Sequence, residues 1–349
     1  MRPTPVRLAV GLGILSSVCV AATPTPARWV PYVRLPGVVD LSATRRDRSL
    51  TATAAGQLFL VGPGGAVETF ARGSAGYATR PDAEAYLALA RRRRVPGARC
   101  TFHRDDVYAL EVDQPGAVVI DTRGRARTFA SLPAGIFPNG ITFDQVGRFD
   151  HRLLVTAGFD GATNVYAIDC RGGVRAVVEH APRVEGGIAV APRSFGRYAG
   201  QLIAPDELGR GIVAIDARGR ASTVVVPDLP VGGDVGVESV GFVPHGFGAR
   251  GAAYLADRGT PGNPHPGTDS ILTLGGAALR AAGVRPGDLL VATEGGAATV
   301  AVRCRRTCTV RHVADGPAAA HGEGHIVFVR QGVGVRAALT PARPAPPAP

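Results

Sequence analysis

The sequence contains no Lys. All 39 of its Lys+Arg positions are Arg, set against 28 Asp+Glu, for a formal charge of +11. A chain this basic ordinarily points to a nucleic acid or an anionic surface. The total absence of Lys beside abundant Ala, Gly, Pro and Arg instead reads as GC-rich codon bias. Aromatic residues make up only 6%, with one Trp. That leaves no stacking platform for single-stranded nucleic acid, and no nucleic-acid partner is expected. No P-loop, no dinucleotide fingerprint in its required context and no GxSxG nucleophile elbow occur. The Cys residues lack paired CxxC spacing, which argues against a structural zinc site. Beyond the N-terminus no segment is long and apolar enough to span a bilayer.

What is there begins with an export signal. Arg2 and Arg7 precede an apolar run from Leu8 to Val20, and small residues permit cleavage after Ala22, or alternatively after Ala27. Residues 1–22 are therefore expected to be removed, and the mature chain to be secreted or extracytoplasmic without a membrane anchor. Removal also takes Cys19, which leaves Cys100, Cys170, Cys304 and Cys308. Four Cys in an exported chain suit disulfides, in three possible pairings. Cys304–Cys308 across a short turn is favoured, with Cys100–Cys170 by elimination. Residues 338–349 are Pro-rich and read as a disordered tail. Residues 28–337 are expected to form one domain, and the protein to be a monomer.

That domain carries an internal repeat. Phe137-Pro-Asn-Gly-Ile-Thr-Phe, Val184-Glu-Gly-Gly-Ile-Ala-Val and Val237-Glu-Ser-Val-Gly-Phe-Val each precede a Phe-Gly-Arg-like turn and a second apolar run. The units also share an Asp-x-x-Gly turn, at Asp121, Asp169 and Asp216. Alternating apolar residues and tight turns predict strands. Four-stranded units repeated at this period predict an all-β propeller. First strands are placed near Glu84, Asn139, Glu185, Glu238, about Asp288, and Glu323, which predicts six blades, with seven the alternative. The last strand, His321–Val329, looks like a first strand. It is expected to close the ring with the N-terminal blade formed by roughly residues 37–72.

In a propeller the starts of the innermost strands converge on one mouth. Glu84, Asn139, Glu185 and Glu323 are thus a candidate oxygen-ligand set for a hard divalent cation such as Ca²⁺. Glu238 is the candidate general base. His321-x-Glu323-x-His325 offers an alternative transition-metal site through His321 and His325, if the segment is extended. Asp206, Glu207, Asp257 and, more weakly, Glu294 follow second strands and could reach the same mouth. Thr260-Pro-Gly-Asn-Pro-His-Pro-Gly reads as an exposed loop placed to act as a lid. Arg91–Arg94 reads as a solvated loop, with an anion grip as the alternative.

Glu323-Gly-His-Ile-Val-Phe and Pro138-Asn-Gly-Ile-Thr-Phe resemble the Glu-Gly and Pro-Asn-Gly motifs of the regucalcin/gluconolactonase family, the senescence-marker-like six-bladed propellers. Glu185-Gly-Gly stands where that family has Asp-Gly. The repeats are also similar to NHL-type propellers, many of which only bind. The family resemblance implies a six-bladed propeller, metal binding through Glu323 and Asn139, and hydrolysis of a small lactone or ester. The NHL-like alternative implies a non-catalytic propeller that binds a protein, glycan or small ligand in the cell envelope.

Overall fold

The computed structural model describes residues 26–42 and 45–330. The expected signal peptide, Cys19 and the 338–349 tail lie outside the described residues. Six four-stranded antiparallel sheets stand in a ring. Listed from the axis outward, blade 1 is Val38–Ser42, Leu50–Ala54, Gln57–Val61 and Val67–Phe70. Blade 2 is Leu87–Leu89, Val107–Glu111, Gly116–Ile120 and Ala126–Ser131. Blade 3 is Phe137–Phe143, Leu153–Phe159, Ala162–Ile168 and Val174–Ala181. Blade 4 is Ala189–Val190, Leu202–Asp206, Gly211–Ile215 and Ala221–Val225. Among the described residues the one α-helix is Gly276–Ala281, and no helix is long and apolar enough to cross a membrane.

Blades 2 to 4 show why the repeat folds as it does. Their second and third strands are buried along most of their length, because each sheet packs against a neighbour on both faces. The Asp-x-x-Gly turns join the third and fourth strands. In each turn the Asp carboxylate accepts two backbone N–H groups, as Asp121 does from Arg123 and Arg125. Its Gly takes a positive φ, 81° at Gly124, where a side chain would be strained.

Blades 5 and 6 depart from the expected order. Blade 5 is Val237–Phe242, Leu289–Thr293, Thr299–Cys304 and Cys308–Asp315, with Ala27–Arg28 added in parallel at its edge. Blade 6 is Gly322–Val329, Ala252–Asp257, Ser270–Gly275 and Val30–Arg34. The chain therefore passes from blade 5 to blade 6, back, and forward again. The strand following Asp288 is not the first strand of a blade; it is the second strand of blade 5, with Val240 opposite Val291. Ala252–Asp257, expected to follow Val237 in the same sheet, belongs to blade 6. The count of six holds because the last two blades are interlaced rather than consecutive. Apolar alternation marks a strand but does not name its partner.

The C-terminal strand is innermost, as expected, and its sheet includes an N-terminal strand. That strand is Val30–Arg34, outermost in blade 6; residues 38–70 form a complete blade of their own. The chain thus crosses at Trp29, between the edge strand on blade 5 and the outer strand of blade 6. Trp29 is buried, and its Nε1–H donates to Thr299 Oγ1 at 2.8 Å. Thr299→Val leaves that indole N–H without an acceptor, with an expected loss of about 1–2 kcal/mol. Because Trp29 is the only Trp, its emission during urea denaturation reads this seam directly; an unchanged midpoint would show that the bond carries no weight.

Both favoured disulfides are present. Cys304–Cys308 spans the turn between two strands of blade 5, and Cys100–Cys170 links blades 2 and 3. Cys100 lies on a hairpin, Arg93–Val95 with Cys100–Phe102, inserted after the inner strand of blade 2.

Candidate functional site

The inner strands all begin at one mouth of the ring. Glu84 stands three residues before its strand, Glu185 four before, and Asn139, Glu238 and Glu323 lie within theirs. Backbone approach across the axis is close. Gly187 packs on Gly324, and Gly186, with φ +79°, packs on the Glu238 carboxylate, so a Cβ at either position would collide. The Gly-Gly after Glu185 is what lets blade 4 reach the carboxylates of blades 5 and 6.

The centre of the mouth is Tyr86, 1% exposed. Its hydroxyl lies 2.8 Å from Glu238 Oε1 and 2.9 Å from Glu323 Oε2, able to donate to either. Glu238 and Glu323 are 4% and 2% exposed. Arg258 Nη1 donates to Glu323 Oε1 at 3.1 Å and to Glu84 Oε1 at 2.5 Å, and its Nη2 donates to the Asp82 carbonyl at 3.0 Å. On the other side His321 Nε2 lies 2.6 Å from Glu294 Oε1 and 3.7 Å from Glu323 Oε1. The His321 backbone N–H donates to Asp257 Oδ1 at 2.8 Å. Arg183 pairs with Glu185 at 2.9 Å and lies 4.0 Å from Glu207.

The electrostatics follow from crowding carboxylates in a buried space. Burial first, then Glu323, Glu185 and Glu294, push Glu238 well above the carboxylate range. Burial and contact with Glu294 push Glu207 up to about 8. The Glu323 charge, then burial, push Glu84 up to about 7 against the pull of Arg258. Burial also disfavours the charged form of Glu323, but His321 and Arg258 outweigh it and hold that carboxyl below its usual range. His321 loses charge stability by burial, yet its bonds to Glu294 and Glu323 carry it up to about 10. Burial followed by Glu238 and Glu323 keeps the Tyr86 hydroxyl protonated.

The structure gathers Glu84, Glu185, Glu238 and Glu323 into one network, but not around one point. Glu84 and Glu323 are held by Arg258, and Glu185 by Arg183. Asn139 donates through Nδ2 to the Val184 carbonyl, while its buried Oδ1 has no hydrogen-bond partner among the described residues. Among the described residues one group of three His, Cys, Asp or Glu brings its ligand atoms within 4.8 Å of one another: Asp234, Glu294 and His321. The buried His321 Nδ1 has no hydrogen-bond partner among the described residues. An imidazole with two carboxylates suits a divalent ion that accepts nitrogen.

His321 and His325 do not share a site. The register between the last strand and Ala252–Asp257 shifts between Tyr254 and Ala256, and Gly324 has φ +66°. This bulge sends His325 into the channel, where Nδ1 lies 2.9 Å from Asp40 Oδ2 and its N–H donates to Asp40 Oδ1 at 2.7 Å. Asp40 also accepts the Leu87 N–H at 2.8 Å. Equal spacing put both His on one face only for a regular strand.

Tyr86, Glu207, Asp234, Arg258 and Glu294 stand at the mouth beside the expected glutamates. Glu207, Arg258 and Glu294 follow the second strands of blades 4, 6 and 5, antiparallel to the inner strands, so their position at the mouth was available from the repeat. The 260–267 loop lies over this group. His265 packs on Gly295, where no Cβ fits, and its Nδ1 lies 2.8 Å from the Ala318 carbonyl.

No protein-family model matches the chain, and no curated protein matches it in sequence. Solved structures of similar shape include a calcium-binding protein, regucalcin, from Agrobacterium tumefaciens, 12% identical with a TM-score of 0.49, covering 86% of this chain and 82% of that one. A gluconolactonase from Xanthomonas campestris is 15% identical with a TM-score of 0.48, covering 89% and 86%. Virginiamycin B lyase from Staphylococcus aureus is 12% identical with a TM-score of 0.43, covering 79% and 84%. Likenesses this distant leave the chemistry of this chain to its own residues.

Proposed function

We propose that this chain is an exported propeller hydrolase of small esters or lactones, with a divalent cation at the mouth held by Asp234, Glu294 and His321. The observation that carries the reading is the surplus of buried carboxylate. Four buried glutamates, Glu207, Glu238, Glu294 and Glu323, meet there beside the more exposed Glu84 and Glu185, with Arg183, Arg258 and His321 as the cationic side chains bonded to the group. Burying unpaired carboxylates is costly unless a cation offsets them. A bound cation supplies polarisation of a carbonyl oxygen or an activated water. The chain's own groups divide the proton work. Glu238, named above as a base, has its pKa raised by burial and by the neighbouring carboxylates, which suits a proton donor better than a base. Glu323 is ionised and suits an acceptor, and the Tyr86 hydroxyl bridges the two. Two carboxyls whose environments push their pKa values apart are the usual arrangement for acid and base roles. Export is supported by the leader-like N-terminus and the two disulfides.

Calorimetry tests the reading. Mn²⁺, Zn²⁺ or Ca²⁺ is expected to bind wild-type protein, and Glu294→Gln or His321→Asn to weaken binding by about tenfold or more. Heat that ignores both changes, or no heat at all, would remove the cation from the site. Binding of Ca²⁺ rather than Mn²⁺ or Zn²⁺ would favour the oxygen ligands over His321. The non-catalytic reading draws on one observation, that Arg258 and Arg183 already occupy three of the carboxylates. It predicts cation-independent ligand binding and no turnover of a lactone panel.

A further inference from the structure

The opposite mouth of the ring is a different surface. The far ends of the inner strands open into a funnel of about 1590 Å³, larger than the roughly 300–1,000 Å³ of ordinary ligand pockets. Eight arginines and one acid line it. That acid, Asp105, is engaged by Arg46 at 3.6 Å. Among the described residues the guanidinium groups of Arg91, Arg93, Arg104 and Arg330 make no ion pair. Burial first, then the charges of Arg330, Arg93 and Arg104, lower the pKa of Arg91, so these side chains repel one another at close quarters.

Among the described residues Asp105 relieves that repulsion in part. Residues 1–25, 43–44 and 331–349 contain no Asp or Glu. Every acidic side chain is therefore accounted for among the described residues, and the funnel draws one of them. The described residues thus leave the funnel with a large excess of positive charge. The basic hairpin is also held in place: Arg93 lies on the strand paired with Cys100–Phe102, and Cys100 is tied to Cys170 of blade 3. Such preorganisation lowers the cost of binding.

We propose that this funnel is a binding site for an oligoanion, a flexible molecule carrying several phosphate or carboxylate groups, gripped by Arg91, Arg93, Arg104 and Arg330. Guanidinium forks match both anions through paired N–H donors. The spread of arginines over several blades suits charges spaced along a chain better than a single one. The site is independent of the acidic mouth, and it makes the anion grip at Arg91–Arg94 the better reading of that run.

The test is calorimetry on the purified protein in about 0.15 M NaCl, where weak surface electrostatics are screened, with tripolyphosphate and tetragalacturonate as probes. Arg91→Gln/Arg104→Gln and, separately, Arg330→Gln are compared with Arg125→Gln/Arg220→Gln, which removes two exposed arginines from outer turns. Melting temperature confirms that each variant is folded. At least one probe is expected to bind, at least about tenfold weaker in the Arg91/Arg104 variant and weaker in Arg330→Gln, with the control unchanged. Which probe binds identifies phosphate or carboxylate as the recognised group. No binding by either probe, or equal weakening in the control, overturns the proposal.

Discussion

Arg258→Met is expected to destabilise the protein by about 3–5 kcal/mol, the range for removing one partner of a buried charge network. Arg258 is 15% exposed at its side chain and donates to two carboxylates. Glu84 lies partly in solvent, so its loss is screened and small. Glu323 is different. It is 2% exposed and faces Glu238 through Tyr86, and without Arg258 its only remaining cationic partner among the described residues is His321. The carboxylate then stays charged against its neighbours or takes up a proton, and either cost falls on the folded state. The double variant Arg258→Met/Glu323→Gln should recover most of the loss, because the orphaned charge goes with it. Urea denaturation of the four proteins in the cycle checks this. A loss below about 1 kcal/mol for Arg258→Met would place the pair among exposed ion pairs of little consequence.

In chelator-treated buffer, stability is expected to fall as pH rises from about 5 to about 9. Glu207 has a folded pKa of about 8, above its unfolded value. Between the two, the folded state keeps a proton that the unfolded state has lost. The stabilisation is therefore complete below the unfolded pKa and gone above about 8. Glu207 is 8% exposed, and a shift of this size corresponds to something on the order of 3–5 kcal/mol. Glu238 moves in the same direction. Glu84, up to about 7, adds a smaller contribution of the same sign because solvent screens it. His321, carried up to about 10, also binds its proton more tightly when folded, which extends the decline toward alkaline pH. Glu323 opposes them only on acidification, since its lowered pKa contributes stability that is lost as pH falls. Urea midpoints at several pH values read the slope. Addition of the cation proposed for Asp234, Glu294 and His321 should flatten it. A midpoint that rises with pH in chelator would contradict the surplus of buried carboxylate.

Some of this site was legible before any coordinates. Glu84, Glu185, Glu238 and Glu323 recur at strand starts, and the propeller does bring them to one mouth. Their pairing was not legible. Tyr86 sits two residues after Glu84 and looks like an ordinary core aromatic, because nothing local shows that Glu238 and Glu323, from blades 5 and 6, meet at its hydroxyl. His325 was grouped with His321 because a uniform strand would align them, and the bulge at Gly324 separates them. The basic composition also changes meaning. Codon bias accounts for Arg in place of Lys, but not for eight arginines around one funnel while the glutamates gather at the other end.

The sequence by itself pointed to most of the strands, the Asp-x-x-Gly turns, the count of six blades and the Cys304–Cys308 disulfide, with Cys100–Cys170 following only by elimination. These depend on alternation, turn chemistry and short spacings, all written within a few residues or counted along the chain. Only the tertiary structure decided which strands pair, and hence the interlacing of blades 5 and 6 and the entry of Val30–Arg34 into the last blade. It also decided which carboxylates face Arg258, which face His321 and which are left without a cation. Partner choice and charge balance depend on groups up to 285 residues apart, as for Asp40 and His325. Distances of that kind are set by ring closure and close packing, and no local pattern encodes them.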